Sequence, residues 1–186
     1  MKIGGDRRGF SMIELVVVLI IMGIVALMSM PKFDLSHIRA NAALRQLSMF
    51  FMQAQRTALA KQCNVIVSVD VPNNRVRMVE DRNNSGTFDA GDRMVWTALE
   101  PGVRFEPNSV PLDGITGTVT FVRNRTVDGF PSVIFRRNGA ASSDGAIFFT
   151  SKPTDPGSMR AIAITQSTGR ADAFKFNGTG WVPGGA

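Results

Sequence analysis

The sequence predicts an α+β protein in which one long N-terminal helix packs on an antiparallel, β-rich C-terminal domain built from two sheets. Three observations lead to this prediction: residues 10–30 are mostly apolar, residues 31–62 repeat apolar side chains at helical spacing, and residues 63–186 form short β-rich runs separated by Gly, Pro and Asn. With 186 residues, 44% of them hydrophobic, the chain can bury a core, which excludes a disordered protein.

The composition also excludes two kinds of stabilising site. The chain has one Cys and one His, so it can form neither an intramolecular disulfide nor the usual Cys/His zinc site. The formal net charge is +6. Ser29-Met30-Pro31-Lys32 matches the serine-nucleophile motif S-x-x-K, but it lies at the predicted membrane edge without the companion motifs. No other group of residues resembles a catalytic constellation, so we expect a protein that is not an enzyme and has no cofactor.

Residues 10–30 are predicted to form a membrane-spanning helix. The basic residues Arg7 and Arg8 precede an apolar run from Leu15 to Met28. With the apolar residues on either side, this run approaches the roughly 20 residues that a helix needs to cross a lipid bilayer. Basic residues on the N-terminal side predict that this end stays in the cytoplasm and that the rest of the chain lies across the membrane.

Glu14 is the unusual residue of this segment. An acidic side chain in the middle of a bilayer costs about 2.5 to 3.5 kcal/mol, so Glu14 should have a partner. A cleaved secretory signal would need small residues at a cleavage site after the apolar run, and residues 26–32 offer a poor one. A plain signal anchor explains the length and the flanking charges but not the carboxylate.

The run Gly9-Phe10-Ser11-Met12-Ile13-Glu14, followed by an apolar helix, resembles the N terminus of type IV pilins and pseudopilins. The resemblance implies that residues 1–9 are a prepilin leader, that a membrane-bound prepilin peptidase cuts between Gly9 and Phe10, and that the new amine of Phe10 is methylated. It also implies that Glu14 neutralises the N-terminal amine of a neighbouring subunit. The helix would then serve first as an anchor in the lipid bilayer and later as filament core.

The C-terminal strands resemble the GspH/FimT branch of minor pseudopilins and pilins, through residues 135–139, 145–149, 160–164 and Gly169-Arg170. The resemblance implies a minor pseudopilin, a structural subunit of the periplasmic pseudopilus of a type II protein secretion system. Its partners would be other pseudopilins or pilins in a filament tip and the inner-membrane assembly platform. A FimT/FimU-like minor pilin of a type IV pilus, which can contact DNA during uptake, is the alternative.

The same resemblance implies a location. We expect a single-pass protein of the bacterial inner membrane, with its N terminus in the cytoplasm and its C-terminal domain in the periplasm, which later moves into the filament. This topology agrees with the one that the basic residues ahead of the apolar run predict.

Residues 31–62 are predicted to continue the helix as an amphipathic segment. Pro31 tends to kink or stop a helix, but the helical pattern resumes beyond it. Apolar residues then step by three and four positions along one face: Leu44, Leu47, Phe51, Ala54 and Ala58. We therefore expect one helix from about Phe10 to Lys61. Its second half should pack on a sheet, because about two heptads are too few for a coiled coil.

The β-rich part should contain nine strands. They are predicted at 65–69, 75–79, 93–97, 103–106, 118–122, 132–136, 146–150, 161–165 and 171–176. The first two flank Pro72-Asn73-Asn74, which is typical of a hairpin turn. Nine short strands favour two antiparallel sheets.

The loop after the second strand nearly matches a calcium-binding loop. Oxygen-bearing side chains stand at the expected spacing: Asp81, Asn83, Ser85, Asp89 and Asp92. Strand-like flanks replace the two helices of an EF-hand, and Asp stands at the last position, where a bidentate Glu is usual. A solvated hairpin tip has the same composition, so no metal is the expectation and calcium is the alternative.

Arginine dominates the basic residues of the C-terminal part, and arginine suits phosphate recognition. The candidate nucleic-acid contacts are Arg123, Arg125, Arg136, Arg137 and Arg170. In FimT-like pilins a basic segment with a Gly-Arg motif is associated with DNA binding, and Gly169-Arg170 resembles its start. Ala171-Asp172 follow, however, which places an acidic residue in that segment. Nucleic acid is therefore not the expected partner.

Overall fold

The computed structural model describes residues 11–28, 34–121 and 126–184. The chain divides into two units, residues 1–34 and 35–186. The first unit contains helix α1 (Met12–Met28), in which the large apolar side chains from Met12 to Val25 are between 44% and 85% exposed. Within the described ranges, no helix combines the length and the hydropathy that crossing a membrane requires.

The expected single helix is not continuous. Helix α1 ends at Met28, and helix α2 (Ser36–Lys61) begins only after Asp34 and Leu35, which are not helical. The sequence supplies a physical reason, because Pro31 has no amide hydrogen to donate and disfavours a helical backbone at the residue before it. Leu35, which precedes α2, makes no side-chain capping hydrogen bond.

The second unit contains α2 and the strands. The strands are β1 (Asn64–Asp70), β2 (Arg75–Asp81), β3 (Arg93–Ala98), β4 (Arg104–Phe105), β5 (Asn108–Leu112), β6 (Ile115–Gly117), β7 (Val119–Phe121), β8 (Thr126–Val127), β9 (Phe130–Phe135), β10 (Gly145–Thr150), β11 (Met159–Ile164), β12 (Ala171–Phe176) and β13 (Trp181–Pro183). A five-stranded sheet has the order β3-β2-β1-β9-β8. A six-stranded sheet has the order β13-β12-β11-β10-β4, with β7 also pairing with β10, and β5 pairs with β6.

The α+β prediction is confirmed: a helix packs on an antiparallel, β-rich domain with more than one sheet. Each of the nine predicted strands overlaps an observed one, and β12 has the predicted bounds. The structure adds four short strands, β5, β6, β8 and β13, that the pattern did not predict. All strand pairs described are antiparallel.

The predicted apolar stripe of α2 packs into the core. Each of its five residues is at most 3% exposed: Leu44, Leu47, Phe51, Ala54 and Ala58. They share one apolar cluster with side chains of both large sheets, such as Val67 of β1 and Ile162 of β11. The Phe51 ring meets the ring of Phe135 edge-on, with centroids 6.3 Å apart. The core therefore joins α2 to both sheets.

The predicted hairpin joins β1 to β2, and a buried carboxylate holds its turn. Asp70 accepts hydrogen bonds from the Asn73 amide and side chain, and from Nε of Arg75 at 2.7 Å. Burial opposes ionisation of Asp70, but these hydrogen bonds outweigh it and lower the pKa of the carboxyl. The ionised form of Asp70 thus stabilises the folded state.

We expect Asp70→Asn to lower the free energy of unfolding by about 1 to 2 kcal/mol at pH 7, because it weakens charge-assisted hydrogen bonds in a buried turn. The lowered folded-state pKa means that this stabilisation is complete above the unfolded-state pKa and is lost as the pH falls through the folded-state pKa. Urea unfolding of the full chain in detergent at pH 7 and pH 3 should show the difference shrinking in acid. Asp113→Asn, at an exposed turn, is the control and should change little at either pH.

Candidate functional site

The N-terminal segment of the sequence carries the residues to which the resemblance assigns processing and assembly: Gly9, Phe10 and Glu14. Gly9 and Phe10 lie outside the described residues. Glu14 lies in the first turn of α1, where a negative charge interacts favourably with the helix dipole. Within the part of the chain that the structure describes, its exposed carboxylate has no hydrogen bond or ion pair. Glu14 is thus available to a group outside its own helix.

Helix α2 is fixed to the second sheet at its N-terminal end by polar side chains. Nε of Arg160 donates to the Asn41 side chain at 2.9 Å, and its Nη1 donates to two main-chain carbonyls. Burial lowers the pKa of Arg160, while the nearby carboxylate of Asp155 opposes this shift. Asp155 also lies 3.1 Å from Nε2 of His37.

Farther along α2, Gln55 joins two loops. Its Nε2 donates to the carbonyl of Gly139 at 2.8 Å and to that of Thr168 at 2.7 Å. The same site brings Gly169 against Gly139: a Cβ on Gly169 would lie 2.0 Å from the Gly139 carbonyl oxygen. We call this arrangement of Gln55, Gly139, Thr168 and Gly169 the loop clamp. The sequence analysis did not predict it, because its only local signal is a glycine in each of the two loops.

The structure describes three of the five arginines proposed for nucleic acid: Arg136, Arg137 and Arg170. Arg123 and Arg125 lie outside the described residues. Arg136 and Arg137 are exposed on the turn after β9 and have no ion pair among the described residues. Nε of Arg170 lies 2.6 Å from Oδ1 of Asp172, so the acidic residue noted in the sequence engages this arginine. DNA contact stays an untested alternative.

The five residues of the possible calcium loop join β2 to β3: Asp81, Asn83, Ser85, Asp89 and Asp92. The buried carboxylate of Asp81 accepts from the amides of Ser85 at 2.9 Å and Gly86 at 2.7 Å. Among the described residues, no group of three or more His, Cys, Asp or Glu is arranged to hold a metal ion.

The two other carboxylates of the loop also have internal donors. Oδ2 of Asp89 accepts from Asn83 at 2.8 Å and Ser85 at 2.7 Å, and these hydrogen bonds lower the pKa of Asp89. Asp92 accepts from the amides of Arg82 and Asp89. The absence of a metal stays the prediction and calcium stays the untested alternative; the hydrogen bonds show how the loop folds from its own side chains.

Cys63 lies directly after α2 and is buried. Burial raises the pKa of its thiol, and the carboxylate of Glu80 raises it further. The thiol is therefore protonated at neutral pH and is a poor nucleophile. Cys63 acts as a small apolar residue at the junction of α2 and β1.

Two solved structures of the minor pseudopilin EpsH from the type II secretion system of Vibrio cholerae are similar to this chain. One has 10% sequence identity and a TM-score of 0.49, and the match covers 74% of this chain and 96% of that one. The other has 12% identity and a TM-score of 0.41, with 81% and 98% covered. No curated protein sequence matches this chain.

The family model for the prokaryotic N-terminal methylation motif matches residues 5–30. The match includes Gly9, Phe10 and Glu14, the residues that carried the resemblance in the sequence, and all of helix α1. The N-terminal segment therefore carries the prokaryotic N-terminal methylation motif, which agrees with the resemblance seen in residues 9–14 of the sequence.

Proposed function

We propose that this protein is a minor pseudopilin, a structural and non-enzymatic subunit of the periplasmic pseudopilus of a type II secretion system. The N-terminal methylation motif over residues 5–30 is the observation that carries the proposal. In this role a prepilin peptidase removes residues 1–9 at Gly9 and methylates Phe10. The apolar helix then leaves the inner membrane to join other pseudopilins or pilins at a filament tip, through the inner-membrane assembly platform.

The exposure of α1 supports an assembly role. Its large apolar side chains from Met12 to Val25 are 44% to 85% exposed, and such a surface requires lipid or other helices to cover it. The apolar run of the sequence extends beyond α1 at both ends, through Phe10 and Met30. We propose that residues 10–30 anchor the chain in the inner membrane, with the C-terminal domain in the periplasm.

Glu14 completes the assembly model. A carboxylate in an apolar environment requires a compensating charge, and no cation pairs with Glu14 within the described residues. The amine of Phe10 of a neighbouring subunit, exposed by cleavage after Gly9, has the right charge. The pair would neutralise two charges inside a bundle of apolar helices and set the stagger between successive subunits.

Processing is the direct test of this proposal. We expect the protein isolated from its native membrane to begin at Phe10 with a methylated amine, and we expect Gly9→Val to leave residues 1–9 attached. Intact-mass measurement and N-terminal sequencing report both results. Gly4→Val, within the leader but away from the cleavage bond, is the control and should be processed. A chain that keeps Met1 in cells with an active prepilin peptidase would contradict the proposal.

A further inference from the structure

The outward face of α2 carries a second heptad-like stripe, separate from the buried one. Its members step by four and three residues: Ile38, Ala42, Arg45, Met49, Met52, Arg56 and Leu59. The apolar side chains at its centre are well exposed, with Met49 at 66% and Met52 at 46%. Alternating spacings of four and three are the pattern by which one helix packs along another. We call these seven residues the outer stripe.

The outer stripe borders a groove of about 540 Å³. Leu44, Met49 and Met52 form its α2 side, while Ala173 of β12 and Pro183 of β13 form the opposite side. Apolar side chains of a second helix could enter this groove, and methionine adapts readily to the shape of a partner. Three charged residues also line the groove: Arg45, Arg170 and Asp172. Arg170 and Asp172 pair with each other, so the charge of Arg45 is the one that no residue lining the groove compensates.

The charges of α2 decide which partner fits. The helix contains no Asp or Glu, and Arg45 and Arg56 flank the two methionines of the outer stripe. Neither arginine has an ion pair or a side-chain hydrogen bond within the described residues. The two are eleven positions apart, which is about 16 Å along a helix. A partner that supplies two negative charges at that separation would complement this face, whereas one with positive charges there would be repelled.

A second copy of α2 does not supply these negative charges. If two copies packed in parallel at this stripe, Arg45 would face Arg45 and Arg56 would face Arg56. If they packed antiparallel with Met49 opposite Met52, Arg45 would face Arg56. Either arrangement places like charges opposite each other, which disfavours the pairing.

We infer that the outer stripe binds an amphipathic helix of a different chain, in which two apolar residues are flanked by Asp or Glu with spacings of four, three and four. The apolar pair would pack on Met49 and Met52, and the acidic residues would meet Arg45 and Arg56. The inference rests on the proposed function and adds to it. It specifies that the neighbouring subunit at this face is a different protein, and it gives the residue pattern of that subunit's helix. It does not depend on leader processing or on Glu14.

A synthetic helical peptide with the pattern Glu-x₃-Leu-x₂-Leu-x₃-Glu, extended to about 24 residues, is the probe. A twin with Lys in place of both Glu residues reverses its charge. The labelled peptides are titrated by fluorescence anisotropy against the full chain in zwitterionic nanodiscs, with empty nanodiscs as the blank. We expect the Glu peptide to bind at least about tenfold more tightly than the Lys peptide, and R45E/R56E to reverse this preference.

R136E/R137E is the matched control, because it makes the same change in net charge at two exposed arginines that lie outside the outer stripe and have no ion pair within the described residues. It should leave the preference for the Glu peptide intact. Loss of preference in this control, or equal binding of the two peptides to the unmodified chain, would overturn the inference. Failure of both peptides to bind would also overturn it, and would leave the processing test of the proposed function unaffected.

Self-association at the stripe is a further way to overturn the inference. M49C places a thiol on the exposed stripe, while Cys63 is buried. A face-to-face homodimer would bring this position close to its counterpart on a second copy, so oxidation would give a disulfide-linked dimer in high yield. We expect M49C to remain monomeric under conditions in which the Glu peptide, carrying a Cys next to one Leu, becomes linked to it.

Discussion

Replacing Gly169 by Ala is expected to destabilise the C-terminal domain by about 3 kcal/mol or more, which places it among the severe point substitutions. Gly169 has a φ of +66°, and a Cβ there would lie 2.0 Å from the Gly139 carbonyl oxygen and 2.8 Å from Nε2 of Gln55. The first contact is with main chain, so no side-chain rotation can relieve it. The two loops would separate, and Gln55 would lose its hydrogen bonds to both.

Gly178→Ala separates this clash from the general cost of a positive φ. Gly178 has a φ of +96°, but a Cβ there would meet no atom within 4 Å. Its substitution should therefore cost only about 1 kcal/mol. Urea unfolding of the full chain in detergent, followed by tryptophan fluorescence, measures both values. Equal losses for the two variants would mean that the close approach at Gly139 is not the cause.

This prediction changes the interpretation of Gly169-Arg170. In the sequence these two residues resembled the start of a DNA-associated motif. In the structure the glycine allows two loops to touch, and the arginine pairs with Asp172. The packing and the ion pair account for both residues without nucleic acid.

Much of the fold could be predicted because local patterns determine it. The buried face of α2 repeats at helical spacing, and the long strands combine β-branched or aromatic residues with clear turn signals. The missed strands lack these signals. Pro111 lies within β5 and Pro183 ends β13, and proline argues against a strand. The two others, β6 and β8, have three and two residues, too few to show alternation.

The functional features also differ in whether a local sequence pattern reveals them. Residues 9–14 lie together in the sequence, so a short motif identifies them without any knowledge of the fold. The loop clamp cannot be found from a short motif, because Gln55 is 84 residues from Gly139 and 113 from Thr168 along the sequence. The helical spacing of the outer stripe was present in the sequence, but only the structure shows which face of α2 the sheets leave uncovered.

Replacing Glu14 by Gln should reduce incorporation into filaments by about 100-fold or more, while the variant stays in the membrane and loses its leader. Glutamine has nearly the same shape as glutamate, so the helix and the cleavage site are preserved. The amine of Phe10 on the neighbouring subunit would, however, be buried without its counter-charge. Breaking one partner of a buried ion pair costs about 3 to 5 kcal/mol, and each 1.4 kcal/mol is a factor of ten in an equilibrium.

The measurement compares the amount of the protein in filaments released from the periplasm of spheroplasts with the amount left in the inner membrane, by quantitative immunoblotting of both fractions. Glu106→Gln is the matched control, because it removes one carboxylate that pairs with Arg104 in the C-terminal domain. It should assemble normally. Normal assembly of Glu14→Gln would contradict the charge pairing, whereas loss of this variant from the membrane would show that the carboxylate acts earlier, in insertion. Glu14→Asp keeps the charge on a shorter side chain. Partial recovery of filament incorporation in this variant would show that the charge and the side-chain length each contribute.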